Sequence, residues 1–228
     1  MPKSTKKSYK DKIDPVTVYI ICEGAVDEYL YFKNFQKNIN KRFRPLIKVV
    51  PIERTSTKSS PLHVLEEAKE YIKEHNIKLR DHSNSFFILL DKDQNFKSGT
   101  KIANTVNYMK QCTQMGIQTA FVAPAFEIWL LLHYIDLSAQ DDAYLKKIIA
   151  NKAVSRNNSF TKNEVSSKGI NSCSMEILKL IHSAIENEEK VNRLYAGTQL
   201  ENDLIWSDVG KIFKTIERTN IVGILTFK

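Results

Sequence analysis

Glycine is scarce in this chain. Only 7 of 228 residues are Gly, which argues against a glycine-rich loop wrapped around a nucleotide's phosphates. Cysteine is scarce as well. Cys22, Cys112 and Cys173 are odd in number and far apart. That excludes a zinc-ligand spacing, gives no disulfide framework, and fits a reducing, cytoplasmic setting. The longest apolar stretch, Phe121 to Ile135, is interrupted by Pro124, Glu127 and His133, so no membrane span is expected. The Lys/Ser-rich start, Lys3 to Lys12, is not followed by an apolar stretch of signal-peptide character. The five histidines show no ligand spacing. Neither a Ser-His-Asp arrangement nor a Walker lysine loop can be read. His133 and Trp129, both within an apolar run, read as core residues.

Positive charge is in surplus. Lys and Arg number 34 against 26 Asp and Glu, a formal net charge of +8. A polyanionic partner, RNA or DNA, is compatible with that balance. So is an ordinary, mildly basic soluble protein.

Short apolar runs alternate with helical patterns. Thr17 to Cys22, Leu46 to Ile52, Ser85 to Leu90 and Ile117 to Val122 read as strands. Between and after them, Asp27 to Phe35, a segment opened by Pro61, a segment carrying Ile102, Val106 and Met109, and Phe126 to Tyr134 read as helices. Repeated β-α units with short linkers predict an α/β fold with a mostly parallel sheet flanked by helices. Residues 1–14 read as a basic flexible tail and 15–137 as the α/β domain. Residues 138–228 read as a helical region packing on it, with helices at Tyr144–Ala150, Met175–Ile185 and Val209–Ile216, a polar loop over Ser155–Ser167, and a strand only at Ile221–Phe227.

Acidic residues follow three of the four strands. Glu23-Gly24 comes directly after the first, and Asp91-Lys92-Asp93 after the third. Open α/β folds place their sites at the carboxyl ends of such strands. In an extended backbone Asp91 and Asp93 point the same way and can share a hard divalent cation. The bland alternatives are a strand-to-helix loop at Glu23 and a helix cap in a solvated loop at Asp91 and Asp93. Glu127, in Pro124-Ala125-Phe126-Glu127-Ile128-Trp129-Leu130-Leu131, is a lone carboxylate among apolar residues. It either completes the acidic edge or serves as a first-turn acid favoured by the helix dipole.

These motifs together resemble a known family. Cys22-Glu23-Gly24 followed by Asp27-Glu28, then Asp91-Lys92-Asp93, looks like the Toprim pattern of topoisomerases, primases and overcoming-lysogenization-defect nucleases. With Tyr31-Phe32 and Phe126-Glu127-Ile128-Trp129-Leu130-Leu131 added, the chain is more closely similar to the RloB-like proteins. Asn202-Asp203-Leu204, running on through Val209 to Phe213, resembles their closing helix more loosely. The resemblance implies a Toprim-like (Rossmann-like) fold and a role in prokaryotic anti-phage or abortive-infection defence beside an ATPase partner. Carried over by position, Glu23 would be the general acid/base and a metal ligand. Asp91 and Asp93 would hold Mg²⁺ or Mn²⁺, and Glu127 would complete the catalytic set. Ala125 stands where many relatives have Cys.

Two function classes remain. One is a Mg²⁺-dependent nuclease acting on RNA, tRNA among the candidates, or on DNA, with Lys152, Arg156, Lys162 and Lys168 holding the backbone. The other is a non-catalytic module that binds a partner or nucleic acid. A receiver-type phosphoacceptor at Asp91 is a weaker third idea, because it would want an acidic pair at the first strand and only Glu23 is there.

Overall fold

The computed structural model describes residues 15–24, 26–55, 60–79, 81, 83–92, 99–156, 158–197, 203–217, 225 and 227, with the backbone alone for 99–103. The basic tail, Asp93, and all of the strand expected over Ile221–Phe227 except Leu225 and Phe227 lie outside the described residues.

Among the described residues one sheet is formed by β1 (Val16–Cys22), β2 (Ile47–Ile52), β3 (Asn84–Asp91), β4 (Gln118–Ala123) and β5 (Trp206–Ser207), in the order β2-β1-β3-β4-β5. The first four are mutually parallel and β5 runs antiparallel to β4. The helices are α1 (Asp27–Asn38), α2 (Pro61–Glu74), α3 (Gly99–Met115), α4 (Glu127–Leu132), α5 (Asp142–Ala150), α6 (Phe160–Ser167), α7 (Met175–Lys179), α8 (Ile181–Leu194) and α9 (Gly210–Glu217). The α/β architecture is thus the one the alternation predicts.

The strands are mostly apolar because both sheet faces are largely covered. Val18, Ile20, Cys22, Phe87 and Leu89 pack in one cluster with residues of α1, α4, α8 and α9. Ile21, Phe86, Ile88 and Leu90 pack in a second cluster with Val64 and Leu65 of α2 and Tyr108 and Cys112 of α3. From β1 the chain crosses to β2 on one side, while β3 lies on the other. The strand order therefore reverses between β1 and β3, and a crevice opens at their carboxyl ends. Pro51 sits within β2, a position open to a residue without an N–H because β2 is an edge strand.

An aromatic nucleus joins α1, α4 and α9. Tyr31, Phe32 and Phe35 of α1 meet Trp129 of α4 and Phe213 of α9, all fully buried. Ring centroids lie 6.4 Å apart for Tyr31–Trp129, 5.6 Å for Trp129–Phe213 and 5.1 Å for Phe35–Phe213. Edge and offset contacts of this kind add to area burial. His133 is a satisfied core histidine, as expected. Its Nδ1 donates to the Trp129 carbonyl at 2.8 Å, and its Nε2 accepts from the Tyr31 hydroxyl at 3.0 Å. Burial pulls its pKa down to about 4, so the ring is neutral.

The last third differs from the sequence reading in three places. The polar stretch expected as a loop over Ser155–Ser167 contains α6. This helix has almost no apolar stripe, and its start is fixed instead by Ser159, whose side chain accepts from the Lys162 N–H. The helix expected over Met175–Ile185 is two helices that meet at Leu180. β5 was not anticipated. Two residues carry no periodicity, and this strand is held by tertiary bonds. Asn192 of α8 donates to the Ser207 carbonyl at 2.7 Å and accepts from the Ser207 N–H at 3.1 Å. Glu188, one turn earlier, is buried and accepts from the Ser207 hydroxyl at 2.6 Å and the Gly210 N–H at 3.0 Å. Asn192→Ala removes both bonds to the Ser207 backbone and is expected to lower unfolding free energy by ~2 kcal/mol. Urea denaturation followed by circular dichroism measures it, and an unchanged midpoint would show that β5 is held by burial alone.

Candidate functional site

The carboxyl edge of the sheet brings Glu23 and Asp91 together. The two strands are paired in register, Cys22 opposite Leu89. The Asp91 N–H donates to Glu23 Oε2 at 3.2 Å. Glu23 is also held through its backbone. Arg54, just past β2, has its side chain almost wholly buried, donates to the Glu23 carbonyl at 2.7 Å and pairs with Glu67 of α2 at 3.0 Å. A fixed guanidinium fork of this kind locks the turn after β1.

A cavity of about 310 Å³ opens at this edge, walled in part by Asp27, Glu28, Asp91, Glu127, Ser159 and Lys162. The site is therefore richer than the sequence reading had it. Asp91 and Glu127 face the same space, and Lys162 reaches it too. Glu23 contacts Asp91 but does not line the cavity. In strand alternation it shares the parity of Ile21, on the α2–α3 face.

Glu28 is the residue that sequence reasoning passed over as a site. It opens the buried stripe Glu28, Tyr31, Phe32, Phe35 of α1, at helical spacing i, i+3, i+4, i+7. A carboxylate in an apolar stripe was the available signal. The stripe carries Glu28 inward until only 7% of it is exposed. Gly24 leaves room beside it, and a Cβ there would make the Glu28 carboxylate shift. Burial pushes the Glu28 pKa up to about 7. Its own backbone N–H opposes that rise, the negative charges of Glu127 and Asp27 add to it, and Lys162 opposes it.

Glu127 begins α4 and is equally buried. Desolvation raises its pKa, while its own N–H, Lys162 and Thr161 hold it down. Lys162 Nζ lies 3.9 Å from Glu127 Oε1. The Thr161 hydroxyl lies 3.3 Å from Glu127 Oε2 and 3.0 Å from Asn151 Oδ1. Its single proton cannot serve both acceptors.

The basic residues named from the sequence are all exposed but do not form one track. Lys162 faces the cavity, and Lys168 pairs with Glu164 one turn earlier on α6 at 3.7 Å. Lys152 precedes, and Arg156 lies within, the short turn closed by the Ala153–Ser159 bridge. Among the described residues no group of three or more His, Cys, Asp or Glu side chains is arranged to hold a metal ion. None of the described helices is long and apolar enough to cross a membrane.

The Glu28 environment makes a stability prediction. A carboxyl raised from 4.5 to about 7 on folding costs nothing below pH 4.5, where it is neutral in both states. Its penalty grows as pH rises and is complete above pH 7. Glu28→Gln is therefore expected to leave stability near pH 4 unchanged and to raise it at pH 8 by up to ~3 kcal/mol. Thermal melts across that range measure this, and equal effects at both ends would refute it.

Comparison with known proteins returns one family. Residues 18–216, from β1 into α9 and including every cavity residue named above, match the model described as RloB-like protein. No curated protein and no solved structure matches. With most of its length covered by that match, the chain belongs to the RloB-like protein family.

Proposed function

We propose that this protein is a Mg²⁺-dependent (or Mn²⁺-dependent) Toprim-type nuclease acting on RNA, tRNA included, or on DNA. Its setting on this reading is prokaryotic anti-phage defence, in the cytoplasm, under the control of an ATPase partner. The observation that carries the reading is the cavity at the strand-order reversal, where Asp91, Glu28 and Glu127 converge beside Glu23.

The donor chemistry fits a hard cation, since carboxylate oxygens are what Mg²⁺ selects. Buried carboxylates raised in pKa mark a place where added positive charge is favourable. Asp91 and Asp93, with Glu23, would hold the ion. Bound there, it would supply Lewis-acid charge to the scissile phosphate and acidify a water. Glu23 would act as general acid/base. Glu28, raised to about 7, would deliver a proton to the leaving oxygen, with Glu127 beside it completing the catalytic set. Lys162 would steady the phosphate, with Lys152, Arg156 and Lys168 contacting flanking backbone.

The second reading is a non-catalytic module that binds a partner or nucleic acid. It is favoured by the lack of a three-ligand cluster among the described residues. Incubation with total RNA and with plasmid DNA, with and without Mg²⁺, alone and with an ATPase partner, separates the two. Asp91→Asn and Asp93→Asn are expected to reduce cleavage at least ~100-fold with melting temperatures near that of the parent. Undiminished cleavage in the double variant would sink the catalytic assignment. Absence of cleavage under every condition would leave the module reading standing.

A further inference from the structure

One segment of the chain is rich in positive charge and free of acids. Between Glu28 and Glu53 there is no acidic residue, while Lys33, Lys37, Lys41, Arg42, Arg44 and Lys48 all fall there. Without these six, 28 basic residues face 26 acidic ones, so most of the surplus of +8 resides in this stretch. The fold gathers it at one place: the last turns of α1, the 3-10 turn Lys41–Phe43, and the start of edge strand β2. Lys37, Lys41, Arg42, Arg44 and Lys48 are exposed, and Lys33 is half-buried. Among the described residues none of the six has a carboxylate within ion-pair distance.

A groove of about 380 Å³ runs through this patch, with Lys37, Arg44 and Lys48 at its rim and Ile39, Ile47 and Val49 in its floor. Arg44 is part of the framework. Its Nη2 donates to the Lys37 carbonyl at 3.0 Å and its Nε to the Ile39 carbonyl at 3.3 Å, closing the end of α1. Arg42 lies over the Phe43 ring at 4.3 Å and Lys33 over the Tyr29 ring at 5.8 Å, while Lys37, Lys41 and Lys48 are exposed.

We infer that this surface binds the phosphate backbone of a nucleic acid, as a second contact region remote from the acidic cavity. Composition favours phosphate over an acidic protein. Protein interfaces are depleted in Lys and anchored by buried apolar or aromatic side chains. Four of the six cations here are Lys, and no exposed large hydrophobic residue lies between Lys33 and Lys48. Lysine clusters without acids are what neutralise a row of phosphates.

The placement suits a strand that also reaches the cavity. α1 begins at the cavity with Asp27 and Glu28 and ends at the patch, a length of ~18 Å. Its outward stripe, Val26, Leu30, Lys33 and Lys37, runs from one to the other. A duplex covers that distance in about five base-pair steps at 3.4 Å each. The inference shares with the proposed function the class of ligand, but it does not require cleavage.

The test is binding of fluorescent single-stranded and duplex oligonucleotides of mixed sequence to the full chain, in EDTA, over a salt series. The variant carries Lys37→Glu, Lys41→Glu, Arg42→Glu and Lys48→Glu, with Arg44 kept. Lys73→Glu with Lys78→Glu, on and beyond α2, is the control for global charge. Affinity is expected to fall at least tenfold in the patch variant and much less in the control. The salt slope on single strands is expected to flatten by roughly 0.7 per lost phosphate contact. Equal affinity and slope in patch variant and parent would overturn the inference. So would binding of poly-glutamate without binding of oligonucleotides, which would assign the surface to an acidic protein. The two proposals fail separately. Lost binding in the patch variant with no cleavage by the parent upholds the patch and removes the nuclease. Intact binding in the patch variant with cleavage lost in Asp91→Asn does the reverse.

Discussion

The packing of α1 on α4 through Tyr31 is the contact on which the acidic cavity depends. Tyr31 lies 5.8 Å from Phe126 and 6.4 Å from Trp129, and its hydroxyl is bonded to His133. Both helices start at the carboxyl edge of the parallel sheet. Each carries a glutamate close to its aromatic contact, Glu28 three residues before Tyr31 and Glu127 between Phe126 and Trp129. Once the rings dock, the two carboxylates have nowhere to go but toward each other. Their repulsion and lost hydration are set against the burial of five large rings, each worth a few kcal/mol. The cavity is in this sense a local loss that the aromatic nucleus makes tolerable.

A second buried glutamate shows what is particular to the first. Glu188 and Glu28 each sit against a glycine where a Cβ would make the carboxylate shift, Gly210 and Gly24. Burial raises both to about 7. Yet Glu188 is bonded to a hydroxyl and a backbone N–H and ties α8 to β5 and α9, whereas Glu28 opens onto a cavity shared with Asp27, Asp91 and Glu127. The same displaced pKa thus belongs to a structural clasp in one case and a candidate site in the other. The displacement alone does not identify function, and the open space beside it does.

The fold was legible where burial imposes a period. The central parallel strands are covered on both faces, so they read as apolar runs, and the α1 and α2 stripes repeat at helical spacing. It was illegible where stability comes from bonds distant in sequence. β5 exists because Asn192 and Glu188 hold it, and α6 because Ser159 caps it and Thr161 reaches Glu127. Neither leaves a periodic mark. Of the site, Asp91 and Glu127 were visible as acids next to strand ends. Glu28 was hidden in a motif read for its spacing and not for the face it occupies. Arg54, which fixes the Glu23 turn, lies in a segment with no pattern. The cations of the α6 region stood out in the sequence as a polar run, while the denser set from Lys33 to Lys48 was masked by the apolar residues interleaved with it.

Charge separation constrains any mechanism. Four carboxylates, Asp27, Glu28, Asp91 and Glu127, surround one cavity with Lys162 as the cation lining it among the described residues. A phosphodiester approaching that cavity unaided is repelled, and the low dielectric of a partly buried site strengthens the repulsion. Entry therefore requires positive charge from elsewhere. On the proposed function a divalent ion at the carboxylates would supply it locally, and protonation of Glu28 would lessen the demand. On the inferred role, lysines at the far end of α1 would hold a polyanion without crossing the repulsive zone, so that the reacting phosphate would be presented by a backbone already bound. Acids at one end of α1 and cations at the other are then two halves of one electrostatic arrangement. The helix between them sets the distance, and the aromatic nucleus beneath it keeps that distance fixed.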